Sequence, residues 1–254
     1  MAYYFQHPDL VLPNDNSVIW RYMDYPKLQS VLQKNSIFFS RADKQTDKLE
    51  GEYPVNMLKE LEKRWGILKS GDGEAYTFIQ WHYLKEIPSR LLSCWSLNLH
   101  ESQKLWTVYT PTIESIAIRS TIKRLKGCFN LKEDGEPVVW IGKIRYGDEE
   151  NKLPDSFHRW DINYFLFPFF AKREEYRWEN EIRATVNLAR SNQLRLCHNT
   201  NGCFIKADLR MLIESVWIHP QASKGFRNKV EVFLNTTTHR DIPVYQSGWD
   251  AIAK

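Results

Sequence analysis

The sequence contains few cysteines and no apolar run long enough to cross a membrane. Four cysteines among 254 residues do not make a disulfide scaffold, so we expect reduced thiols. The longest apolar stretches, residues 164–170 and 215–218, are much shorter than a membrane span. The first residues also lack the basic and apolar segments of a secretion signal. These absences predict a cytoplasmic protein that does not act in a membrane.

Several signatures of metal and phosphate sites are missing as well. Cys197, His198 and Cys203 lie close together, but no second pair of ligands follows at zinc-site spacing. The Gly-Asp-Gly turn at residues 71–73 lacks the spacing of a phosphate-binding loop, and its acidic residue would repel phosphate. There is no G-x-S-x-G motif, which excludes a hydrolase nucleophile elbow of that type. We therefore expect no structural metal.

Aromatic residues are plentiful and charge is nearly balanced. The chain is 14% aromatic, with ten tryptophans, and its net charge is +4. Acidic residues are interspersed among the basic ones, so weak attraction to nucleic acid is allowed but no basic block demands it. Many of the rings must lie in the core, although a cleft lined with Trp and Tyr would also stack a planar ligand.

The hydrophobic pattern predicts an α+β fold in a single domain, with a mixed, mostly antiparallel sheet of short strands and flanking helices. Residues 17–52 and 90–254 are expected to form the sheet core, and residues 53–89 a helical insertion or lid. Strands are predicted at residues 18–23, 36–40, 91–96, 113–118, 138–146, 178–186, 202–205 and 215–218. Helices are predicted at residues 25–34, 55–65, 75–86, 101–109, 120–125, 208–213 and 225–234.

The most unusual stretch is a densely charged segment, residues 172–185, that follows an aromatic run. If residues 178–186 form a strand, Glu179, Glu181 and Arg183 share one face. The Trp, Ile, Thr and Val residues of the segment favour this strand over a helix. Two carboxylates and a guanidinium would then point in one direction, either as a functional site or as a solvated charged face.

Six ordered motifs resemble a large, uncharacterised bacterial family, known only as a domain of unknown function and often found near phage-defence and mobile-element genes. The match spans about residues 20–220 and implies a conflict setting without implying an activity. The motifs are Trp20-Arg21-Tyr22, Phe38-Phe39-Ser40, Asp47 with Leu49-Glu50-Gly51, Ser93-Cys94-Trp95-Ser96, Leu105-Trp106 with Tyr109, and Lys172 followed by Trp178-Glu179-Asn180-Glu181-Ile182-Arg183.

The strand–helix–strand opening and the late E-x-E are also similar to ADP-ribosyltransferases of the arginine–serine–glutamate type. This resemblance implies that Arg21 holds NAD, the substrate, through its phosphate or ribose. It implies that Ser93 supports the nicotinamide pocket and that Glu181 stabilises an oxocarbenium-like transition state. Glu179 would orient the acceptor. The sequence departs from the pattern at Ser93-Cys94-Trp95, which stands where Ser-Thr-Ser is usual.

The residue types suit that chemistry. A guanidinium gives a forked, permanently charged grip on a diphosphate. A carboxylate near the anomeric carbon stabilises the positive charge that develops there. Tyr22, Trp106 and Tyr109 are further candidates for cofactor binding. Trp106 and Tyr109 lie three residues apart on one helical face, which is typical of core packing as well as of an aromatic cleft wall.

These features predict an NAD-using transferase or NAD glycohydrolase that acts on a macromolecular acceptor, either protein or nucleic acid. Two alternatives remain open at this point. One is a non-enzymatic module that binds nucleic acid or protein. The other is a nuclease in which Glu179, Glu181 and Lys172 face Mg²⁺. Convergence of Arg21, Ser93 and Glu181 on one cleft large enough for a dinucleotide would distinguish the first reading from the second.

Overall fold

A ten-stranded sheet organises the protein in a computed structural model that describes residues 2–65, 82–130, 137–150, 152–153, 165–188 and 201–248. The strands are β1 Tyr3–Tyr4, β2 Val18–Asp24, β3 Ser36–Arg41, β4 Arg90–Leu97, β5 Ser115–Thr121, β6 Val138–Lys143, β7 Arg145–Tyr146, β8 Ala171–Lys172, β9 Glu181–Asn187, β10 Gly202–Lys206, β11 Ser215–Ile218 and β12 Val244–Gln246. The α-helices are α1 Tyr25–Lys34, α2 Val55–Trp65, α3 Ile87–Ser89, α4 Gln103–Tyr109, α5 Ile122–Gly127, α6 Gly147–Glu150, α7 Leu209–Leu212 and α8 Lys224–Asn235.

The sheet is mixed and mostly antiparallel, which confirms the predicted α+β class. Its strand order is β1-β6-β9-β4-β2-β5-β11-β12, with β10 and β3 joined to it as a branch on β4. The β1–β6 and β11–β12 pairs are parallel, and the other pairs of the large sheet are antiparallel. Strands β7 and β8 form a separate parallel pair.

One edge of β4 is shared between two partners. Near one end of β4, Leu92 pairs with Ser40 of β3; near the other end, Ser96 pairs with Trp20 of β2. The two partner strands therefore diverge beside the middle of β4. The other edge of β4 pairs with β9 along seven residue pairs, so the split is confined to one side. This divergence opens a gap in the sheet.

The local signals at the start of the chain are confirmed. Helix α1 begins after Asp24, whose side chain accepts a hydrogen bond of 3.0 Å from the Lys27 backbone N–H. Pro26 occupies the first turn, where its missing N–H costs nothing. The helix ends at Asn35, which adopts a left-handed conformation with a φ of 46°. These caps fix the short strand–helix–strand unit that supplies β2 and β3.

The predicted strand at residues 178–186 is wrong at its start. Glu174–Glu179 forms a 3₁₀ helix, and the strand begins only at Glu181. Asn180 lies between them in a left-handed conformation with a φ of 43°, which asparagine tolerates better than most residues. The alternation holds from Glu181 onward, but Glu179 reaches the same region from the end of a helix.

Other boundaries also differ. The predicted strand at residues 138–146 is divided into β6 and β7, because the Ile144 backbone N–H donates to the Glu181 carbonyl and β7 pairs with β8 instead. The predicted helix at residues 75–86 lies largely outside the described residues; its described end, His82–Glu86, is a π-helical turn. None of the described helices is long and apolar enough to cross a membrane.

The expectation of reduced thiols is wrong for Cys203, which is disulfide-bonded. Cys94 and Cys128 are free, as expected. A count of cysteines indicates whether a disulfide scaffold can be built, but it does not reveal whether two thiols meet in the fold.

The main core lies on one face of the sheet. Alternate residues of β9, namely Ile182, Ala184 and Val186, are fully buried there together with the apolar side of α1. The opposite face of β9 carries Glu181 and Arg183, which are also buried. That face is covered by the aromatic segment that ends in the 3₁₀ helix Phe167–Phe170 and by the turn at Glu50 and Gly51. Charged side chains are thus enclosed within the protein.

Gly51 provides the first prediction. Its φ is 81°, and a Cβ placed there would lie 2.4 Å from Cε1 of the buried Phe169 ring. We expect Gly51→Ala to cost about 1–3 kcal/mol of unfolding free energy from overpacking, with the left-handed backbone adding to that cost. Gly248→Ala is the control, because a Cβ there meets open space. Urea unfolding of both variants tests this, and equal effects would contradict it.

Candidate functional site

A cleft of about 380 Å³ lies where β2 and β3 diverge from β4. Its walls are largely aromatic and its floor is charged. The lining aromatic side chains are Trp20, Tyr22, Phe38, Trp95 and Tyr109. The charged lining comprises the cations Lys27, Arg21, Lys172 and Arg183, and the carboxylates Glu50, Glu179 and Glu181. Arg21 and Glu181 therefore line the same cleft, whereas Ser93, the third residue expected to converge there, is not part of its lining.

Arg183 is the centre of the charged floor and is fully buried. Its Nε donates to Glu181 Oε1 at 2.7 Å, and its Nη2 donates to Glu181 Oε2 at 3.1 Å. The guanidinium also bonds both carboxylate oxygens of Glu50, at 2.6 and 3.1 Å. A further bond of 2.6 Å joins Nη1 to the Phe169 carbonyl. One side chain therefore connects β9 to two other segments of the chain.

The two carboxylates beside Arg183 differ in their pKa values. Burial opposes ionisation of Glu181, but the charges of Arg183 and Lys172 outweigh it and lower the pKa of Glu181 to about 2. For Glu50 burial dominates, and the nearby Glu181 charge adds to it, so the pKa of Glu50 is raised despite its bonds to Arg183. With a pKa of about 2, Glu181 is ionised at neutral pH.

Lys172 bridges the two glutamates of the E-x-E motif. Its Nζ lies 2.5 Å from Glu179 Oε2 and 3.3 Å from Glu181 Oε2. Burial would lower the pKa of Lys172, but the Glu181 and Glu179 charges raise it overall, so the ammonium stays protonated. The second oxygen of Glu179 accepts a bond of 2.6 Å from the Tyr109 hydroxyl. Both carboxylates are thus held in fixed orientations.

Arg21 lies on β2, which β4 separates from Glu181 on β9, and its hydrogen-bond partners are neutral. Its Nη1 donates to Ser93 Oγ at 2.8 Å and its Nη2 donates to the Phe38 carbonyl at 2.8 Å. Burial lowers the pKa of Arg21 to about 10, which still leaves it charged at neutral pH. Within the ranges that the structure describes, no carboxylate forms an ion pair with this guanidinium. Its charge is available to an anionic ligand.

The structure places the two serines of β4 differently. Ser93 pairs with Ala184 on the core side of the sheet and is buried, where its hydroxyl holds Arg21. Ser96 pairs with Glu181, lines the cleft, and donates to the Glu179 carbonyl at 2.8 Å. Ser93 therefore acts on the cleft through Arg21, whereas Ser96 faces it directly.

The three aromatic candidates for cofactor binding lie in different environments. Trp106 is fully buried, with its ring packed edge-on against Tyr22 and His219, so a ligand in the cleft would not touch it. Tyr22 lines the cleft, and its hydroxyl accepts a bond of 2.8 Å from the Ser102 backbone N–H. Tyr109 also lines the cleft and is 42% exposed. Of these two residues of helix α4, Trp106 belongs to the core and Tyr109 to the cleft lining.

The sequence analysis did not assign Glu50 or Cys94 to this site, and it gave the role on β4 to Ser93 rather than to the neighbouring Ser96. Cys94 pairs with Arg183 across the sheet and lines the cleft, where burial and the Glu181 charge raise the pKa of its thiol. A signal for Glu50 was present in the sequence, because Leu49-Glu50-Gly51 is one of the six ordered motifs and places a carboxylate directly before a glycine. Only strand pairing reveals that Ser96 faces Glu181.

The described residues contain no group of three or more His, Cys, Asp or Glu side chains arranged to hold a metal ion. No protein-family model, curated protein or solved structure matches this chain. Function must therefore be inferred from the chemistry of the cleft itself.

Arg183 generates the second prediction. Arg183→Ala would leave Glu50 and Glu181 buried without their shared cation, so we expect a loss of about 3–5 kcal/mol in unfolding free energy. Arg177 is a matched control, because it also pairs with two carboxylates, Glu174 and Glu150, but at the surface. Arg177→Ala should leave stability nearly unchanged. A urea titration in which both variants behave alike would show that the buried network contributes little.

The low pKa of Glu181 gives a third prediction. Because its pKa falls from 4.5 to about 2 on folding, ionised Glu181 contributes stability that is fully present above about pH 4.5. That contribution is lost as the pH falls towards 2. We expect Glu181→Gln to flatten the decline of unfolding free energy over this window, measured by urea unfolding at successive pH values. An unchanged acid slope would mean that Glu181 is not a stabilised carboxylate.

Proposed function

We propose that the cleft binds NAD and cleaves its nicotinamide–ribose bond, either transferring ADP-ribose to an acceptor or hydrolysing NAD. The observation that carries this proposal is the separation of charge across one cleft. Arg21 supplies a cation with neutral partners on one side, and Glu181 supplies an ionised carboxylate on the other. NAD has the complementary distribution, with an anionic diphosphate and a cationic nicotinamide ring.

The size and walls of the cleft support this ligand class. A volume of about 380 Å³ falls within the range of about 300–1,000 Å³ that is typical of small-molecule sites. Tyr22, Phe38 and Tyr109, which are the partly or largely exposed aromatic residues of the lining, provide flat apolar surfaces that suit planar rings. The similarity of Arg21, Ser93 and the E-x-E to arginine–serine–glutamate ADP-ribosyltransferases points to the same reaction.

In the proposed reaction, Arg21 grips the diphosphate and Glu181 lies beside the ribose carbon that loses nicotinamide. As the bond breaks, the ribose develops oxocarbenium character, and the carboxylate stabilises that positive charge. Nicotinamide takes the bonding electrons and leaves as a neutral molecule. Lys172 and Arg183 keep Glu181 ionised and oriented, while Ser93 orients Arg21. The family resemblance favours a bacterial or phage conflict as the setting.

The test is to incubate the purified protein with NAD and to measure the released nicotinamide by chromatography. We expect Glu181→Gln to lower turnover about 10²–10³ fold, because the amide keeps the shape of the side chain but lacks its charge. Arg21→Ala should instead raise the NAD concentration needed for half-maximal rate, since a ground-state phosphate contact is lost. Glu231→Gln, which changes an exposed ion pair on α8, is the control and should behave like the wild type.

A folded wild-type protein that neither binds NAD nor releases nicotinamide, with cell lysate present as a source of acceptor, would overturn this proposal. Binding without release would favour a non-enzymatic binding module.

A further inference from the structure

The Tyr109 hydroxyl has an arrangement that the proposed hydrolysis of NAD does not require. It donates a bond of 2.6 Å to Glu179 Oε1, and its ring lines the cleft that also contains Glu181. Glu179 itself is only 6% exposed. A neutral phenol is a weak nucleophile, and a carboxylate at hydrogen-bond distance is the group that activates one. Tyr109 and Glu179 therefore have the geometry of a nucleophile and its base.

The other bonds of Glu179 strengthen this assignment. Lys172 holds the second carboxylate oxygen at 2.5 Å, so Oε1 is the oxygen left to accept a proton, and Tyr109 occupies it. The Tyr109 hydroxyl is therefore already positioned at the carboxylate oxygen that would accept its proton.

Neighbouring tyrosines have a different arrangement. The hydroxyls of Tyr22 and Tyr146 accept bonds from backbone N–H groups of Ser102 and Glu181, both at 2.8 Å. Those hydroxyls act as acceptors in these bonds, whereas the Tyr109 hydroxyl donates to a carboxylate. Burial and the Glu179 charge raise the pKa of Tyr109, which keeps the phenol protonated until a base removes the proton.

We propose that Tyr109 is a site of self-modification, which accepts ADP-ribose from NAD bound in the same cleft. This inference rests on the proposed function. The Tyr109 oxygen forms a bond to the ribose carbon as the bond from that carbon to nicotinamide breaks. The phenolic proton passes to Glu179, and the electrons of the broken bond leave with neutral nicotinamide. Glu181 stabilises the positive charge that develops on the ribose during this step. No oxidant, reductant or further reactant is needed.

The experiment incubates the full chain with NAD and measures the intact mass, then locates any adduct by proteolysis and fragment mass spectrometry. We expect one ADP-ribose per chain, located on Tyr109, and loss of the adduct in Tyr109→Phe. Tyr245→Phe is the matched control, because Tyr245 is 48% exposed and is not part of the cleft lining. That variant should acquire the adduct as the wild type does.

Thermal unfolding of both variants shows whether either substitution disturbs the fold, and fragment mapping of the wild type identifies the modified residue independently of any variant. Nicotinamide release without an adduct, or with an adduct on another residue, would overturn the Tyr109 assignment and leave the proposed function standing. Absence of both nicotinamide release and adduct would overturn the Tyr109 assignment. If the protein also neither binds NAD nor releases nicotinamide when cell lysate is added, the proposed function is overturned as well.

Discussion

The site depends on the hydrogen bonds and ion pairs of the buried Arg183 guanidinium. Burying a charge costs several kcal/mol unless it is paired and hydrogen-bonded, and Arg183 meets that requirement with Glu50, Glu181 and the Phe169 carbonyl. These partners come from three separate parts of the chain. The same bonds that satisfy the charge therefore fix the turn at Glu50 and the aromatic 3₁₀ helix against β9. The buried charges beside the cleft therefore satisfy one another through hydrogen bonds and ion pairs.

The cleft itself arises from a feature of the backbone. Strand β4 pairs with β3 at one end and β2 at the other, and the gap between these partners admits the Arg21 side chain from the core side of the sheet. Without this split, Arg21 and Glu181 would lie on opposite faces, because Trp20 rather than Arg21 shares a face with Ser96 and Glu181. The divergence of two strands brings them to one cavity.

Charge in the cleft is balanced but unevenly distributed. Lys172 and Arg183 are committed to carboxylates, whereas Arg21 has neutral partners. A ligand that carries a negative group towards Arg21 would pair with this cation, and positive charge that develops on the ligand near Glu181 would be stabilised by the ionised carboxylate. This is the physical basis for proposing a dinucleotide with a cationic ring. The hydrogen bond from Tyr109 to Glu179 lies in the same cavity, where we propose that the two side chains act as nucleophile and base.

The sequence alone determined the fold class and most element positions, because caps, turns and alternation are local. Asp24, Pro26 and Asn35 bound α1 as predicted, since each acts through the backbone of its own helix. The sequence also identified Arg21, Glu179 and Glu181 as candidate site residues. The tertiary structure alone decided that Ser96 rather than Ser93 faces Glu181, that Trp106 is core, and that Glu50 joins Arg183. Strand register and contacts between residues 133 positions apart depend on how distant segments pack, and no local pattern encodes them.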